Sequence, residues 1–525
     1  MTNSKNEALK IPNLSIIQLI NLCIGFLGLQ FAWSMQIALS SRVTEPLGAD
    51  PLTFGLMWLA GPITGILVQP IIGVISDNTW TRFGRRRPFL MLGAILGSIA
   101  LVLFPMTKVI GEQCLSCVPV LILAASLLWI IDASVNISQG PYRALIPDIA
   151  PLEQHALANS FLSFAIGLGS VISFGAAPFI RFVFNYQMSL EQQFIMAAIA
   201  FTLGITWTCI TTKEQIKPTD IKESVSATNE IKTTKQSKES AFGPIKNFLI
   251  STLIGLIGTI IIGLVFKIDL SSNESIQTLL SWFVLILSIP MLLMALFSFK
   301  SKDIYKLCII QFCTWLGIMC MFIYFNNFVV HNLFQIPDLT IATDQVKASF
   351  KTLEENAIFV TQVGLAIFNL VCLLISIPLG IFCSKIGKKN VHSLALLIMS
   401  IAFFGLAFLT KTQTEVYIFM GLAGIGWASI LALPFALLTE HIDEGTEGSS
   451  MGKFNLFIAG PQILSSVAVG YLIKISPLMT CNGKTNHFDY AFIVGAIAIL
   501  IAALITQTVR EKHRELKSNI STGSH

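Results

Sequence analysis

The sequence predicts an all-α polytopic membrane protein, and three observations carry that prediction. Of its 525 residues, 54% are hydrophobic and only 12% charged, with a mean hydropathy of +0.74, a composition that excludes several soluble domains in series. The apolar residues gather into runs long enough to cross a bilayer, separated by short polar segments. The pattern of runs also repeats, before and after one long polar stretch.

In chain order, spanning runs fall near 14–40, 52–76, 88–107, 118–147, 156–182 and 190–212. The first follows Lys5 and Lys10 as a signal peptide would, but it is too long and lacks a small-residue cleavage site, so it reads as a retained span. Lys213 to Ser240, rich in lysine, glutamate, threonine and serine, reads as a solvated linker. Two runs follow, 247–267 and 276–299, joined by the polar turn Asp269 to Ser275 and flanked by Lys246 and Lys300. They form a hairpin with no ionisable residue between Asn247 and Phe266 or between Leu279 and Phe299, as expected of peripheral helices facing lipid. Six more runs lie near 305–334, 357–383, 391–410, 415–440, 450–475 and 488–509. The expected organisation is a six-helix bundle over 1–212, a cytoplasmic linker over 213–246, an extra transmembrane hairpin over 247–300, a second six-helix bundle over 301–510 and a tail over 511–525, with 14 spans in all.

The net charge of +5 makes no basic patch for nucleic acid, because the cations sit in short clusters between apolar runs. With the N-terminus inside, most of them fall on the cytoplasmic side, at Lys5 and Lys10, Arg82 to Arg87, Lys213 to Lys246, Lys300 to Lys306, Lys385 to Lys389 and Arg510 to Lys517. Both termini are therefore expected in the cytoplasm, and the protein as a monomer in the plasma membrane. Seven cysteines lie in apolar runs and read as small core residues. Cys114 and Cys117 form a C-x-x-C in a predicted external loop, where a local disulfide stays open, and Cys481 is another candidate partner. There is no P-loop, no zinc-spaced His/Cys cluster and no nucleophile elbow, so no enzyme, metal or cofactor is expected.

The fourth run holds the chemistry. Leu127 to Asp148 places Asp132 and Arg143 inside an otherwise apolar helix, with Asp132 about 20 Å into the bilayer. Ionisable groups at that depth face a protein interior or a watery cavity and mark substrate or proton paths. The two residues share a face but are separated by about 16 Å along the axis, too far to pair. Asp132 can be neutralised by a proton; Arg143 cannot, and near the inner interface it must find acceptors or snorkel to phosphate. Gln30, Gln36, Asn136 and Gln139 offer the paired donors and acceptors that sugar hydroxyls require, although buried amides serve equally as glue between helices. Trp33, about five turns into its run, can stack on a sugar face better than Trp58.

An internal repeat organises the rest. Gly73-x-x-x-Asp77 followed by Arg82, Arg85, Arg86 and Arg87 matches Gly380-x-x-x-Ser384, Lys385, Gly387, Lys388 and Lys389 after the second run of the last six. Pro141-Tyr142 likewise matches Pro434-Phe435. Asp77 with the arginines is expected to form a cytoplasmic gate, with Asp148, Glu153, Asp443, Glu444 and Glu447 as facing acids. Two six-helix repeats about an axis normal to the membrane are the architecture of the major facilitator superfamily.

Four stretches resemble the sucrose–proton symporters of plants and their bacterial and animal relatives: Gly73 to Pro88 ending R-x-G-R-R-R-P, Gln30 to Gln36 with Trp58 to Pro70, Asp132 to Ala144, and Gly452, Asn455, Pro461 and Gln462. The resemblance implies a proton-coupled symporter of a sucrose- or maltose-like glycoside, with Asp132 as the protonatable, sugar-contacting residue and Arg143 needed for transport. Plant members carry aspartates late in the seventh span, where this chain has Phe325, Asn326 and Asn327, and a histidine that is missing around Gly48 to Asp50. Coupling is then left to Asp132, with His331 and the two asparagines expected along the cavity from the second half. The alternatives are a proton-driven exporter of drugs or metabolites on the same fold and, against the shortness of tail and linker, a non-transporting sugar sensor.

Overall fold

A computed structural model describes residues 13–79, 81–113, 118–151, 154–214, 249–264, 273–297, 299, 301–337, 339, 343–442, 447–475 and 487–511. Cys114, Cys117, Cys481, Glu153, Asp443 and Glu444 lie outside them, as do most of the linker and tail.

The first six spans are built from α1 (Ile16–Thr44), continued by a 3₁₀ turn Glu45–Leu47; α2 (Pro51–Met57) with α3 (Ala60–Asn78); α4 (Arg87–Leu103) with α5 (Thr107–Gln113); α6 (Val120–Ile149); α7 (His155–Phe184); and α8 (Leu190–Thr211). Then come α9 (Leu249–Leu264) and α10 (Asn273–Phe297). The last six are α11 (Lys302–Asn327), continued by a π-helical turn Phe328–Leu333; α12 (Asp344–Ile386); α13 (Lys388–Leu409); α14 (Gln413–Thr439); α15 (Glu447–Leu464) joined through a π-helical turn Ser465–Val469 to α16 (Gly470–Ile475); and α17 (Asp489–Thr506). Among the described residues, 12 helices are long and apolar enough to cross a membrane, and α9 and α10 stand outside that set.

The repeat seen in the sequence is also a repeat of packing. In the first half α1 lies on α8, where a Cβ on Gly28 would sit 2.4 Å from the Ala200 carbonyl oxygen. In the second half α11 lies on α17, where a Cβ on Gly317 would sit 2.8 Å from the Gly495 carbonyl oxygen. Lipid tails give apolar side chains no reason to leave them, so small residues that let backbones touch supply the attraction. The halves meet along two seams, α7 against α12 and α3 against α15.

The paired helices α9 and α10 touch through Gly258 and Ile286, and α10 rests on α15 with Leu292 against Gly460. Leu249, Leu253, Leu256, Ile260 and Leu264 of α9 are exposed. One boundary differs from expectation. The apolar run begins at 357, but α12 starts at Asp344, because Gln345 to Asn356 forms a polar, amphipathic extension that hydropathy does not register as part of a span. That extension carries Glu354 and Asn356, which reach the first half.

Candidate functional site

Asp132 lies on α6, buried at 5% exposure, beside α1 and α3. Its Oδ2 accepts a hydrogen bond of 2.7 Å from Gln36 Nε2 of α1. Gln36 is itself 1% exposed, and its Oε1 has no partner among the described residues, a buried acceptor next to the acid. On the other side the chain has left room: a Cβ on Gly61 of α3 would stand only 3.7 Å from Asp132 Oδ1. A carboxyl taken out of water needs such an enclosure of polar neighbours or a proton.

One turn along α6, Asn136 continues the polar strip. Its Nδ2 donates to Thr64 Oγ1 at 2.9 Å and to the Asp132 carbonyl oxygen at 3.0 Å, while its Oδ1 accepts from Gln69 Nε2 at 2.5 Å. Gln69 also donates to Gln139 Oε1 at 3.1 Å. Thr64 and Gln69, which sequence reasoning passed over as site residues, therefore belong to the group; the signal was a polar pair within an apolar run, Gln69 directly before Pro70. Gln30 is buried against Gly169 of α7, and its amide makes no hydrogen bond among the described residues. Arg143, three turns along α6, is exposed between the buried Tyr142 and Leu145, and makes no ion pair among the described residues. The helix is unbroken from Val120 to Ile149, so Asp132 and Arg143 stay apart as their spacing predicts.

The second half contributes aromatic rings. Trp33 of α1 meets Phe322 of α11 edge to face at 5.3 Å, and Phe322 touches Phe368 of α12 at 6.0 Å and Trp427 of α14 at 5.5 Å. Trp315 meets Trp427 at 5.6 Å, and its indole N–H has no partner among the described residues. Only Trp33 of this group was singled out from the sequence, because an aromatic residue on an apolar helix carries no mark that separates a lining residue from core.

The residues expected to line the cavity from the seventh span sit elsewhere. Asn326 Nδ2 donates to Ser41 Oγ at 2.7 Å, Asn327 Nδ2 to Glu45 Oε1 at 2.9 Å, and His331 Nε2 lies 2.8 Å from the same oxygen. These contacts close the end of the protein opposite the termini, along with Arg42–Glu354, Asp50–Lys474 at 2.9 Å, Arg181 Nη2 to Asn356 at 2.6 Å and Gln362 Nε2 to Gln193 at 2.5 Å. All seven join one half to the other. Their partners fix the level: Ser41 and Glu45 lie five and nine residues beyond Gln36, the partner of Asp132 on α1, roughly one and a half and two and a half turns further along the span.

At the termini end the arginine loop is paired within its own half. Arg86 meets Asp77 at 2.5 Å and Asp148 at 3.0 Å, and Arg85 meets Asp148 at 2.6 Å. Arg82 lies over the Phe83 ring at 4.7 Å. Glu214, just past α8, accepts the backbone N–H groups of Arg85, Arg86 and Arg87 at 2.6, 3.0 and 2.9 Å and lies 3.6 Å from Arg87 Nε. A carboxylate on the first N–H groups of α4 answers both their missing partners and the helix dipole. Gly84, at φ 109°, makes the turn, and a Cβ there would strike Glu214 at 2.6 Å. The second half repeats the device: Gly387 at φ 88°, Glu511 on the N–H of Lys389, and Lys388 paired with Glu440 at 2.5 Å. Glu214 was not foreseen, since it lies 128 residues from Arg86 along the chain, beyond the end of α8.

Comparison with known proteins gives the family and the fold. A family model described as MFS/sugar transport protein matches residues 23–334, and one described as Major Facilitator Superfamily matches residues 307–523. The chain is 25% identical to a general alpha-glucoside permease of Schizosaccharomyces pombe, over 96% of each chain. It is 24% identical to the sucrose transport protein SUC4 of Arabidopsis thaliana, over 90% of this chain and 87% of that one. Among solved structures, a POT family transporter in complex with 5-aminolevulinic acid superimposes with a TM-score of 0.62 at 16% identity, over 95% of this chain and 99% of that one.

Proposed function

This chain belongs to the major facilitator superfamily, among its sugar transport proteins, and from that premise we propose that it is a proton-coupled symporter that imports a sugar, a disaccharide or other glycoside of the sucrose or maltose kind, by alternating access. The family is one of transporters, not enzymes. The observation that carries the proposal is the Asp132–Gln36 pair: a buried acid held by one amide on a neighbouring span, next to an acceptor with no partner and a glycine that leaves space.

In this reading Asp132 takes a proton from outside and becomes a neutral donor to a sugar hydroxyl. Gln36 Oε1 accepts from a second hydroxyl, and the amides of Gln30, Asn136 and Gln139 and the guanidinium of Arg143 supply the rest. Trp33, with Phe322 and Trp427 behind it, offers an apolar surface to the C–H face of the ring. Sugar and proton must each change the balance between outward- and inward-facing states, because a ligand shifts a conformational equilibrium only through differential affinity. The far end is closed by cross-half contacts here, while the ion pairs named at the termini end stay within one half, which supports an inward-facing conformation. Asp77 with Arg82, Arg85, Arg86 and Arg87 would then complete the cytoplasmic gate in the opposite state.

The same reading takes 1–212 and 301–510 as the two bundles, 213–246 as a cytoplasmic linker, 247–300 as a membrane-crossing hairpin that brings the spans to fourteen, and 511–525 as a tail. The protein works as a monomer in the plasma membrane with both termini in the cytoplasm. A thermal-shift screen of the purified protein over mono- and disaccharides tests it, followed by uptake into proteoliposomes under an inward pH gradient. Stabilisation by a glycoside that is also accumulated is the expected result. A protein stabilised by no sugar and accumulating none would overturn the proposal.

A further inference from the structure

We propose that Glu45 and His331 form a second proton-binding site, remote from Asp132, and that the far end of the protein closes only when this site holds one proton. The inference rests on the alternating-access reading above, because it assigns the pair to one of the two states.

Which ring nitrogen can donate decides how many protons the pair holds. His331 Nδ1 lies 2.8 Å from the carbonyl oxygen of Ile336, which can only accept, so Nδ1 carries a hydrogen. The opposite ring nitrogen, Nε2, lies 2.8 Å from Glu45 Oε1. A neutral ring with its hydrogen on Nδ1 has a bare lone pair at Nε2, and an ionised carboxylate has bare lone pairs too. At that separation the two repel. The contact therefore exists in two forms only: an imidazolium N–H donating to a carboxylate, or a carboxyl O–H donating to a neutral ring. Each holds one proton more than the separated carboxylate and neutral ring. Asn327 Nδ2 donates to the same Oε1 at 2.9 Å, and Arg42 Nη1 stands 3.6 Å from Oε2; both favour the ionised carboxylate and so the imidazolium.

The position of the pair gives that proton its consequence. Glu45 opens the 3₁₀ turn that ends the first span, and His331 lies in the π-helical turn that ends the seventh, so the bond joins the two halves. Such π turns concentrate at functional sites. Phe488 stacks on the imidazole at 5.4 Å and fixes its plane. Other charged groups around the pair, among the described residues, are Arg42 and Glu354, which bind each other across the halves, and Asp489, which accepts from Asn332 at 3.1 Å and lies 3.4 Å from His487. The Asp489 contacts stay in the second half, so their titration does not bridge the seam. Asp132, by contrast, is bonded to Gln36 of its own half. Closing the far end thus takes one proton from the outer water into the Glu45–His331 contact, and opening returns it.

The test needs no substrate. Spin labels at Gln113→Cys and Lys411→Cys, in full-length protein whose other cysteines are replaced by serine or alanine, report the far-end distance in lipid nanodiscs between about pH 5 and about pH 9, the range over which imidazole titrates. Linkage of one proton makes the closed-to-open ratio fall by up to about tenfold per pH unit above the titration point of the pair. His331→Gln, whose amide donates a hydrogen at every pH, should stay closed throughout. His331→Phe should stay open, and Asp132→Asn should still respond to pH, because the Glu45–His331 proton remains. A pH response that survives in both His331 variants, or that disappears in Asp132→Asn, overturns the proposal. Pairing the distances with uptake separates the two readings. A far end insensitive to pH in protein that still accumulates sugar removes the latch alone; a far end that never opens, in protein that accumulates nothing, removes alternating access with it.

Discussion

Replacing Asp132 by asparagine separates binding from coupling. The amide has the volume of the acid, and its oxygen still accepts from Gln36 Nε2, where the carboxylate accepts at 2.7 Å. Its new N–H₂ group finds an acceptor already in place, the unpartnered Gln36 Oε1. The folding cost is therefore small. In the sugar-bound state the acid is protonated, so a neutral O–H donor of about 0.5–1.5 kcal/mol gives way to a neutral N–H donor in the same range. The difference, at most about 1 kcal/mol, limits the loss of sugar affinity to about fivefold. Coupling has no such floor, because the amide does not titrate. A gradient of one pH unit is worth about 1.4 kcal/mol, so one-to-one symport accumulates sugar about tenfold, and the Asp132→Asn protein should not accumulate it at all. The assay compares pH-driven uptake with sugar counterflow in the same proteoliposomes. Counterflow preserved within about fivefold with accumulation abolished is the expected pair of results. Wild-type accumulation by the asparagine variant would remove Asp132 from the mechanism.

Three further outcomes follow from contacts described above. Glu214→Ala leaves three helix-end N–H groups and Arg87 without their carboxylate, which should cost about 2 kcal/mol and lower the melting temperature of the purified protein, with the matching Glu511→Ala acting on the other half. Phe322→Ala removes the ring that ties Trp33 to Phe368 and Trp427 and should weaken glycoside affinity by about 1 kcal/mol beyond any packing loss, read by calorimetric titration against an unchanged pH profile of transport. At Asp50, burial pushes the carboxyl up, but the Thr53 N–H and hydroxyl and the Lys474 ammonium outweigh it and hold the group below the ordinary carboxylate value. A depressed carboxylate stabilises the closed far end above its unfolded value and ceases to as pH falls through the folded one, so this cross-half bridge weakens only below about pH 4; Asp50→Asn should flatten that acid limb of the far-end distances and leave the region around neutrality unchanged.

Most of the fold is legible in the sequence because its signal is hydropathy, and a bilayer permits few answers to twenty apolar residues in a row. Asp132 is legible for the converse reason: an acid at mid-depth is too costly to be incidental. Gln36 and Asn136 are visible as polar residues in apolar runs, although only the coordinates join them to Thr64 and Gln69. What the sequence conceals is distance across the chain. Glu214 caps a loop more than a hundred residues away, and Glu354 reaches Arg42 from a polar extension that hydropathy reads as loop. Phe322 and Trp427 are hidden in another way, since an aromatic residue inside an apolar helix looks the same whether it faces core, lipid or ligand.

The carboxylate clips of the two halves bear on how the protein is made. Each is supplied by the last stretch of its own half: Glu214 follows the sixth span, and Glu511 follows the last. A nascent chain that has threaded five helices still has a bare helix end at Arg85 to Arg87, and the sixth must arrive before that end is sealed. The first half can therefore finish assembling before most of the second is synthesised, with no waiting on any residue downstream of position 214. Chains cut within 215–246 keep both clips whole, and the two fragments, synthesised separately, should find each other in the membrane as two completed bodies rather than as twelve loose helices.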